Sequence, residues 1–328
     1  MGVGIAITGC GSAAPATVLT NNHLAQMVET SDEWINTRTG MKNRHIASPT
    51  DSLSQLGAAA ALNAIAMSGI SPSEIDLIIL ATSTPDDMFG SACQIQGLIG
   101  ASNAVAFDLT AACSGFIFAL ITASQFIGTG VYQNILIIGA DVLSRWVDWS
   151  DRTSCILFGD GAGAAVCQKA NHNRLLSFGM YSNGSQNDSL NLNYRCDTQA
   201  LVADIEAQQG NYNPITMNGR EVYRFAVAKV PEAISKAMFQ ANLTAKDIDW
   251  LLLHQANQRI MDAVAKRLKI PQEKILSNIA EYGNTSAASI PLALDAAVRA
   301  GKVKPGDTIA ASGFGAGLTW GAAIFKWG

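Results

Sequence analysis

Long uncharged stretches, broken by short polar turns, dominate the pattern of apolar and polar positions along the chain. After Cys113, apolar residues between positions 116 and 127 occupy nearly every helical phase, which predicts a helix buried on all sides. The apolar run 135–140 predicts a buried strand. No charge occurs from 109 to 140, a length that could span a membrane. Glycine and polar residues at 128–134 break this stretch, so we divide it into a helix and a strand.

Two later segments place polar side chains beside elements that are predicted to be buried. The apolar run 250–253 predicts a second strand, and His254 follows it directly. The carboxyl end of a strand is where α/β proteins place their chemistry. Further along, the turn that contains Asn284 precedes a helical pattern beginning near Leu292.

The chain also repeats itself. Residues 71–80 are similar to residues 244–253, an offset of 244 − 71 = 173. Adding 173 to Cys113 gives position 286, so the turn that carries Asn284 corresponds to the turn that carries Cys113. A glycine-rich segment, 158–166, is likewise repeated at 314–324.

The repeat predicts two copies of an α/β unit. We place the boundary near residue 170, with His172 in a solvated loop. The expected N-terminal half, 1–170, carries the cysteine, and the C-terminal half, 171–328, carries the histidine and the asparagine. Each half would contribute one buried central helix, and the two helix N-termini would meet at a pseudo-twofold axis.

Cys113, His254 and Asn284 are the candidate chemical groups. A cysteine in the first turn of a helix is close to the positive end of the helix dipole, which favours the reactive thiolate. Each residue also has an ordinary structural interpretation. Cys113 could fill space in the core, His254 could be a buried structural residue, and Asn284 could cap a helix. Together they supply a nucleophile and two hydrogen-bond donors.

Three motifs make the chain recognisable: AACSGF at 111–116, HQAN at 254–257 and GNTSAAS at 283–289. With them the chain resembles β-ketoacyl-acyl carrier protein synthase III, the condensing enzyme that initiates type II fatty acid synthesis. The resemblance runs from TSDEWINTRTG at 30–40 to GFGAGLTWG at 313–321. It implies that Cys113, His254 and Asn284 are catalytic. It also implies a thiolase-like α/β fold, with duplicated halves, mixed sheets and five α-β-α-β-α layers.

The resemblance implies a decarboxylative condensation of a short acyl-CoA, which we expect to be acetyl-CoA, with malonyl-acyl carrier protein. An acyl-Cys113 intermediate would form, with the N–H groups of Cys113 and Ala316 as the oxyanion hole. Many relatives have glycine at the position of Ala316. Met88 matches a residue that closes the acyl pocket of the partner subunit in a homodimer, although it could also merely fill an interface gap.

Binding residues follow from the same resemblance. It implies that coenzyme A contacts five residues: Trp34, Arg38, Arg152, Asn257 and Arg259. A basic segment runs from Arg259 to Lys274. Acyl carrier proteins are acidic, so we expect Arg224, Lys266 and Arg267 to dock the carrier protein. Alternatively, Trp34 is a core aromatic residue and the basic residues form an ordinary solvated surface.

Composition agrees with this interpretation. Charged residues make up 15% of the chain and hydrophobic residues 48%, which indicates extensive burial and an oligomer. The net charge of −4 argues against binding nucleic acid. The six cysteines show no CxxC pair and no metal-ligand spacing, so we expect reduced thiols, no metal and no cofactor. The first seven residues predict a strand without the basic start of a signal peptide, which favours a cytoplasmic enzyme with no membrane association.

Three questions stay open at this stage. The glycines at 159–163 loosely match a dinucleotide loop, but a predicted strand follows them, so close backbone packing explains them better. A different thiolase-fold enzyme of a specialised pathway, or a non-catalytic partner subunit, would share much of the pattern. Residues 182–213, rich in Asn, Ser and Gln, give no clear prediction.

Overall fold

The computed structural model of the chain describes residues 4–328, so the strand predicted for the first seven residues is tested from Gly4 onward. The strands are β1 Gly4–Ala13, β2 Thr17–Thr20, β3 Asn43–Ile46, β4 Leu77–Ala81, β5 Val105–Leu109, β6 Asn134–Val142, β7 Asp160–Ala170, β8 Leu175–Ser182, β9 Leu190–Asn191, β10 Tyr194–Val202, β11 Ile205–Tyr212, β12 Thr216–Met217, β13 Trp250–Leu253, β14 Ile275–Leu276, β15 Thr308–Gly315 and β16 Thr319–Lys326.

The α-helices are α1 Asn21–Leu24, α2 Asp32–Thr39, α3 Leu53–Ser68, α4 Ala92–Ile99, α5 Gly115–Gly128, α6 Arg152–Cys155, α7 Gly219–Gln240, α8 Gln258–Leu268, α9 Ile279–Tyr282 and α10 Ser289–Arg299. Short 3₁₀ turns occur at Pro72–Glu74, Ala112–Ser114, Leu143–Trp146, Gly184–Ser189, Ala245–Asp247, Gln272–Lys274 and Ser286–Ala288.

Two five-stranded mixed sheets form the frame of the molecule. Their strand orders are β1-β7-β6-β4-β5 and β14-β13-β15-β16-β8. In each sheet four strands run in the same direction and one strand, β7 or β16, runs antiparallel to its two neighbours. The sheets therefore repeat one topology, as the sequence repeat predicts.

Helices α5 and α10 pack between the sheets, α3 and α4 cover the outer face of the first sheet, and α7 and α8 cover the second. The apolar side chains form three clusters that fill the spaces between these five layers. The predicted fold is confirmed, including the buried helix after Cys113 and the buried strand over 135–140.

The predicted correspondence between the two turns is confirmed, but its register is wrong by one residue. The 3₁₀ turns 72–74 and 245–247 keep the offset of 173, whereas Ala112–Ser114 and Ser286–Ala288 differ by 286 − 112 = 174. Ala112 and Ser286 both have positive φ, 47° and 50°, so they are equivalent. The counterpart of Cys113 is therefore Ala287. Between these two turns the second copy has one residue more than the first.

Residues 182–213 contain an exposed two-stranded ribbon of β10 and β11. The glycine-rich segment 159–163 leads into strand β7, as expected. A side chain at Gly163 would lie 2.7 Å from Pro291, and one at Gly159 would lie 2.5 Å from the Tyr282 carbonyl. Close packing accounts for these glycines. His172 lies exposed in the loop between β7 and β8, as predicted.

Candidate active site

Cys113 sits in a 3₁₀ turn at the N-terminus of the central helix α5 and is buried. The turn packs against the end of β15. A side chain at Gly315 would lie 2.6 Å from the Cys113 nitrogen, and one at Gly313 would lie 3.0 Å from the Cys113 carbonyl oxygen. Only glycine permits this approach. The predicted oxyanion turn, which contains Ala316, therefore begins directly against the nucleophile.

His254 follows β13 at its carboxyl end, as predicted. Its N–H donates to the Ser312 carbonyl oxygen at 2.9 Å, which continues the pairing between β13 and β15. The ring is buried and meets the Phe314 ring edge-on at 5.3 Å between centroids. Burial lowers the pKa of His254 to about 3, so the imidazole is neutral near pH 7.

Ser289 is the hydrogen-bond partner of the His254 ring. The Ser289 Oγ lies 2.7 Å from His254 Nδ1, and the Gln255 N–H donates to the same oxygen at 3.3 Å. A hydroxyl can accept and donate at once, so the Ser289 O–H can donate to Nδ1 while its oxygen accepts from Gln255. A neutral ring in that arrangement carries its proton on Nε2. In this tautomer His254 is a hydrogen-bond donor through Nε2.

Asn284 is fixed by backbone pairing. Its N–H donates to the Leu157 carbonyl oxygen and its own carbonyl oxygen accepts from the Gly159 N–H, both at 2.9 Å. Its Oδ1 accepts from the Ser286 N–H at 2.9 Å, which leaves the Nδ2 protons free to donate elsewhere. Asn284 does not cap α10, because that helix begins five residues later.

The N-terminal turns of α5 and α10 bring these groups together. A side chain at Gly139 would lie 2.2 Å from the Ala287 carbonyl oxygen, and one at Gly115 would lie 3.6 Å from the Ala287 Cβ. The two turns are thus packed on each other at the pseudo-twofold axis. Ser289, the partner of His254, is the first residue of α10.

Cys113 is a thiol in this site rather than the expected thiolate. Burial, with a smaller contribution from the nearby Asp141 carboxylate, raises the pKa of the thiol to about 12. A hydrogen bond from the Ser286 side chain opposes this rise. Burial therefore opposes the expected thiolate, because desolvation disfavours the charged form of the sulfur.

The residues predicted for coenzyme A gather at one surface. Two guanidinium groups lie over the Trp34 ring, with Arg38 Cζ at 4.4 Å and Arg152 Cζ at 4.9 Å from its centroid. Asn257 Nδ2 donates to the Arg38 carbonyl oxygen at 3.1 Å, and Asn257 Oδ1 accepts from the Arg259 N–H at 2.9 Å. This surface is aromatic and cationic.

The predicted docking residues lie on the neighbouring helices α7 and α8. Arg224 and Lys266 are exposed, and Arg267 Nη1 donates to the Val227 carbonyl oxygen at 2.8 Å, which ties α8 to α7. Lys274, at the end of the basic segment, donates instead to the Ile248 carbonyl oxygen. On α7, Arg224 also forms an ion pair with Glu221 at 3.2 Å.

Met88 and its neighbour Phe89 are 82% and 100% exposed, which is unusual for large apolar side chains. They border a cavity of about 510 Å³ that extends to Phe107 and Thr110, three residues before Cys113. An apolar loop tip thus stands next to the active-site turn with nothing from its own chain covering it.

The described residues contain neither a metal-binding cluster nor a membrane-spanning helix. Residues 4–328 contain no group of three His, Cys, Asp or Glu side chains that could hold a metal ion. No helix in the same range is both long and apolar enough to cross a membrane.

Sequence reasoning missed three polar residues of the site. Ser286 and Ser289 lie inside the GNTSAAS motif, so their hydroxyl groups gave a signal that could have been followed. Asp141 is fully buried near the end of β6 and contacts the Ser286 turn. Its charge directly after an apolar run was the available signal.

A buried cysteine, histidine and asparagine at the joined helix N-termini of a duplicated α/β fold define a condensing enzyme of the thiolase superfamily. Comparisons with known proteins narrow the class. The C-terminal model of 3-oxoacyl-[acyl-carrier-protein] synthase III matches residues 238–327, and a second model of that enzyme matches 107–184.

Whole-chain comparisons agree. The chain is 66% identical to the β-ketoacyl-[acyl-carrier-protein] synthase III of Acaryochloris marina, covering 100% of this chain and 98% of the relative. It is 67% identical to that of Trichormus variabilis, covering 99% of each. The crystal structure of the Aquifex aeolicus enzyme superposes with a TM-score of 0.91 at 43% identity, covering 99% of this chain and 100% of that one.

The chain therefore belongs to the β-ketoacyl-acyl carrier protein synthase III family. It is an acyltransferase that condenses an acyl-CoA with malonyl-acyl carrier protein at the start of fatty acid synthesis.

Proposed function

We propose that Cys113, His254 and Asn284 divide the two half-reactions of this condensation between them. The observation that carries the proposal is their convergence at the packed N-termini of α5 and α10. In the first half-reaction Cys113 Sγ attacks the thioester carbon of acyl-CoA, coenzyme A leaves, and the acyl group stays on the sulfur. The N–H groups of Cys113 and Ala316 receive the developing oxyanion.

In the second half-reaction malonyl-acyl carrier protein loses CO₂, and the electron pair forms an enolate on its thioester oxygen. His254 Nε2–H and the Asn284 amide donate to that oxygen. The carbanion attacks acyl-Cys113 and releases 3-ketoacyl-carrier protein. The contact of Ser289 Oγ with Nδ1 supports this role for His254, because a Ser289 O–H that donates to Nδ1 leaves the proton of a neutral ring on Nε2.

Incubation with acetyl-CoA alone tests the first half. We expect one acetyl group on the peptide that contains Cys113, and none in Cys113→Ala. Cys196→Ala is the matched control, since Cys196 is an exposed cysteine on the β10–β11 ribbon. Acetylation that survives in Cys113→Ala would refute the assignment, and a wild type that is not acetylated would favour a non-catalytic subunit.

We also propose the binding roles. Trp34, Arg38, Arg152, Asn257 and Arg259 hold coenzyme A, since an aromatic ring with two guanidinium groups beside it suits a stacked base and a phosphate. Arg224, Lys266 and Arg267 receive the acidic carrier protein. A carrier-protein requirement in the second half-reaction would separate this enzyme from a relative that uses only coenzyme A thioesters. The preference for acetyl-CoA stays a prediction.

The active unit that we propose is a homodimer. Strand β5 is the outer strand of its sheet, with Val105 exposed, and it adjoins the exposed Met88 loop. An uncovered sheet edge of this kind can pair with a strand of another chain. A second copy of the chain would cover both the β5 edge and the Met88 loop. Met88 would then close the acyl pocket of the partner subunit.

The remaining expectations are part of the proposal. We divide the chain into halves at 1–170 and 171–328, because strand β7 ends at Ala170 and the second copy of the topology begins with β8. A cytoplasmic location and a reaction without a cofactor stay predictions.

A further inference from the structure

Arg44, on strand β3, is a fully buried cation that no step of the proposed reaction uses. Burial lowers the pKa of its guanidinium to about 10, so the group keeps its charge near pH 7. Within residues 4–328 no aspartate or glutamate forms an ion pair with it. A buried charge without a counter-ion is costly, so its presence needs a reason.

The guanidinium donates its hydrogen bonds to uncharged oxygens. Its Nε donates to the Ile156 carbonyl oxygen at 2.8 Å, and its Nη2 donates to the same oxygen. Its Nη1 donates to Asn21 Oδ1 and, at 3.3 Å, to the Lys42 carbonyl oxygen. Asn21 is itself buried, and its Nδ2 donates to the Met41 carbonyl oxygen at 2.8 Å. One edge of the guanidinium is thus fixed by Asn21, and the other edge holds Ile156.

Ile156 begins the connection that fixes Asn284. Residues 156–159 join α6 to β7. The Asn284 N–H donates to the Leu157 carbonyl oxygen, and the Asn284 carbonyl oxygen accepts from the Gly159 N–H, both at 2.9 Å. This pairing is an isolated bridge outside the named strands. The position of Asn284 therefore depends on what holds residues 156–159 in place.

The aliphatic part of Arg44 lies against both chains that form this bridge. A side chain at Gly283 would lie 3.1 Å from Arg44 Cγ and 2.8 Å from the Leu157 carbonyl oxygen. One at Gly159 would lie 3.4 Å from Arg44 Cβ. Gly283 also has a φ of 62°, a conformation that favours glycine. The hydrogen bonds and the packing of Arg44 thus act on the same few residues.

We propose that Arg44 is a positioning residue for Asn284. By holding the Ile156 carbonyl it fixes residues 156–159, and these keep the Asn284 amide where the enolate oxygen forms. Cys113 lies in a different turn, which packs against β15. Loss of Arg44 should therefore slow decarboxylation and spare acetylation. The inference rests on the proposed role of Asn284 as a donor in decarboxylation.

The test combines Arg44→Met and Asn284→Ala, singly and together. Methionine keeps an unbranched apolar stem but has no N–H donors. CO₂ release from malonyl-carrier protein is measured with enzyme that is already acetylated on Cys113, and the rate of acetylation by acetyl-CoA is measured separately. Ile65→Ala is the control for a general loss of stability, because Ile65 is buried on α3, on the outer face of the first sheet.

In Arg44→Met we expect CO₂ release to be about 10²-fold slower, the scale on which misplacing a reacting group by about 1 Å slows catalysis. Acetylation should stay near the wild-type rate. In the Asn284→Ala background, Arg44→Met should add little further slowing, because residues that act through one another are not additive. Ile65→Ala should keep both rates.

A wild-type rate of CO₂ release in Arg44→Met would overturn the proposal. So would an equal slowing of both half-reactions, or an effect of Arg44→Met that is undiminished in the Asn284→Ala background, since either would indicate a structural role only. If thermal denaturation shows that Arg44→Met is unfolded, Arg44→Lys decides by the same criteria, because an ammonium cannot reproduce the fork of N–H donors. Wild-type CO₂ release in Asn284→Ala would instead refute the proposed function of Asn284.

Discussion

At the scale of single residues, one cause shifts Cys113 and His254 in opposite directions. Burial disfavours charge, so it raises the pKa of the thiol to about 12 and lowers that of the imidazole to about 3. Both side chains are therefore neutral before substrate enters. Charge then appears only when the reaction creates it, next to donors that are already aligned.

This predicts the pH dependence of decarboxylation. With His254 neutral throughout, decarboxylation of malonyl-carrier protein by pre-acetylated enzyme should show no titration near pH 6.5 between about pH 5 and pH 8. A stopped-flow pH series would measure it. A step near pH 6.5 that vanishes in His254→Gln would contradict the neutral donor.

The same shift has a consequence for stability. Unfolding releases His254 to an ordinary pKa of 6.5, so the unfolded chain binds one more proton than the folded chain between about pH 3 and 6.5. The contribution of His254 to the free energy of unfolding therefore rises with pH across that window and is lost as pH falls.

The motifs predicted the candidate catalytic residues, which stay a prediction, but they could not predict the hydroxyl contacts. The contact of the Ser289 hydroxyl with His254 Nδ1 depends on how α10 packs against the end of β13, which sequence periodicity does not reveal. The neutral state of Cys113 depends on the complete burial of the turn, which only the assembled layers produce.

At the scale of elements, the glycines of β15 control how closely the oxyanion turn approaches the nucleophile. Gly315→Ala would place a methyl group 2.6 Å from the Cys113 nitrogen. We expect a loss of about 1–3 kcal/mol of stability from overpacking and a severe loss of acetylation, because the Cys113 N–H would be displaced. Chemical denaturation and the acetylation assay measure the two effects.

Gly128→Ala provides the comparison. Gly128 ends the same helix α5, and a side chain there would meet nothing within 4 Å. It should fold at least as stably as the wild type and acetylate normally. Equal behaviour of the two variants would mean that close approach at Gly315 has no role.

The elements also show where sequence patterns stop being informative. The buried helices and strands were predictable because their apolar runs are long. The offset of 173 was wrong beyond 245–247, because a one-residue insertion leaves no trace in hydrophobic periodicity. The β10–β11 ribbon was missed because both of its faces are exposed, so its residues do not alternate between apolar and polar.

At the scale of the whole molecule, surface charge should affect only the carrier-protein half of the reaction. Charge reversal at Arg224 and Lys266 should weaken the use of malonyl-carrier protein and spare acetylation by acetyl-CoA. The effect should shrink as salt rises, since exposed charges are screened beyond about 8 Å at physiological ionic strength. Lys302→Glu, an exposed charge outside α7 and α8, is the control. Equal loss in both half-reactions would indicate damage to the fold.

The dimer should determine primer length. If Met88 closes the pocket of the partner subunit, Met88→Ala should shift kcat/KM from acetyl-CoA toward butyryl- and hexanoyl-CoA. The change should be graded, because one methylene is worth about 1–3 kcal/mol. Light scattering should show a dimer for the wild type and for Met88→Ala. An active monomer, or an unchanged ranking of primers, would contradict the role of Met88.

The central claim is the division of labour among Cys113, His254 and Asn284, and one measurement tests it most directly. Acetyl-Cys113 and released CO₂ are quantified in the same sample for His254→Ala and Asn284→Ala, after acetyl-CoA and then malonyl-carrier protein are added. We predict normal acetylation of Cys113 in both variants, with CO₂ release slowed by about 10²–10³, as for other lost oxyanion donors. Acetyl-Cys113 that condenses at the wild-type rate in either variant would contradict the account.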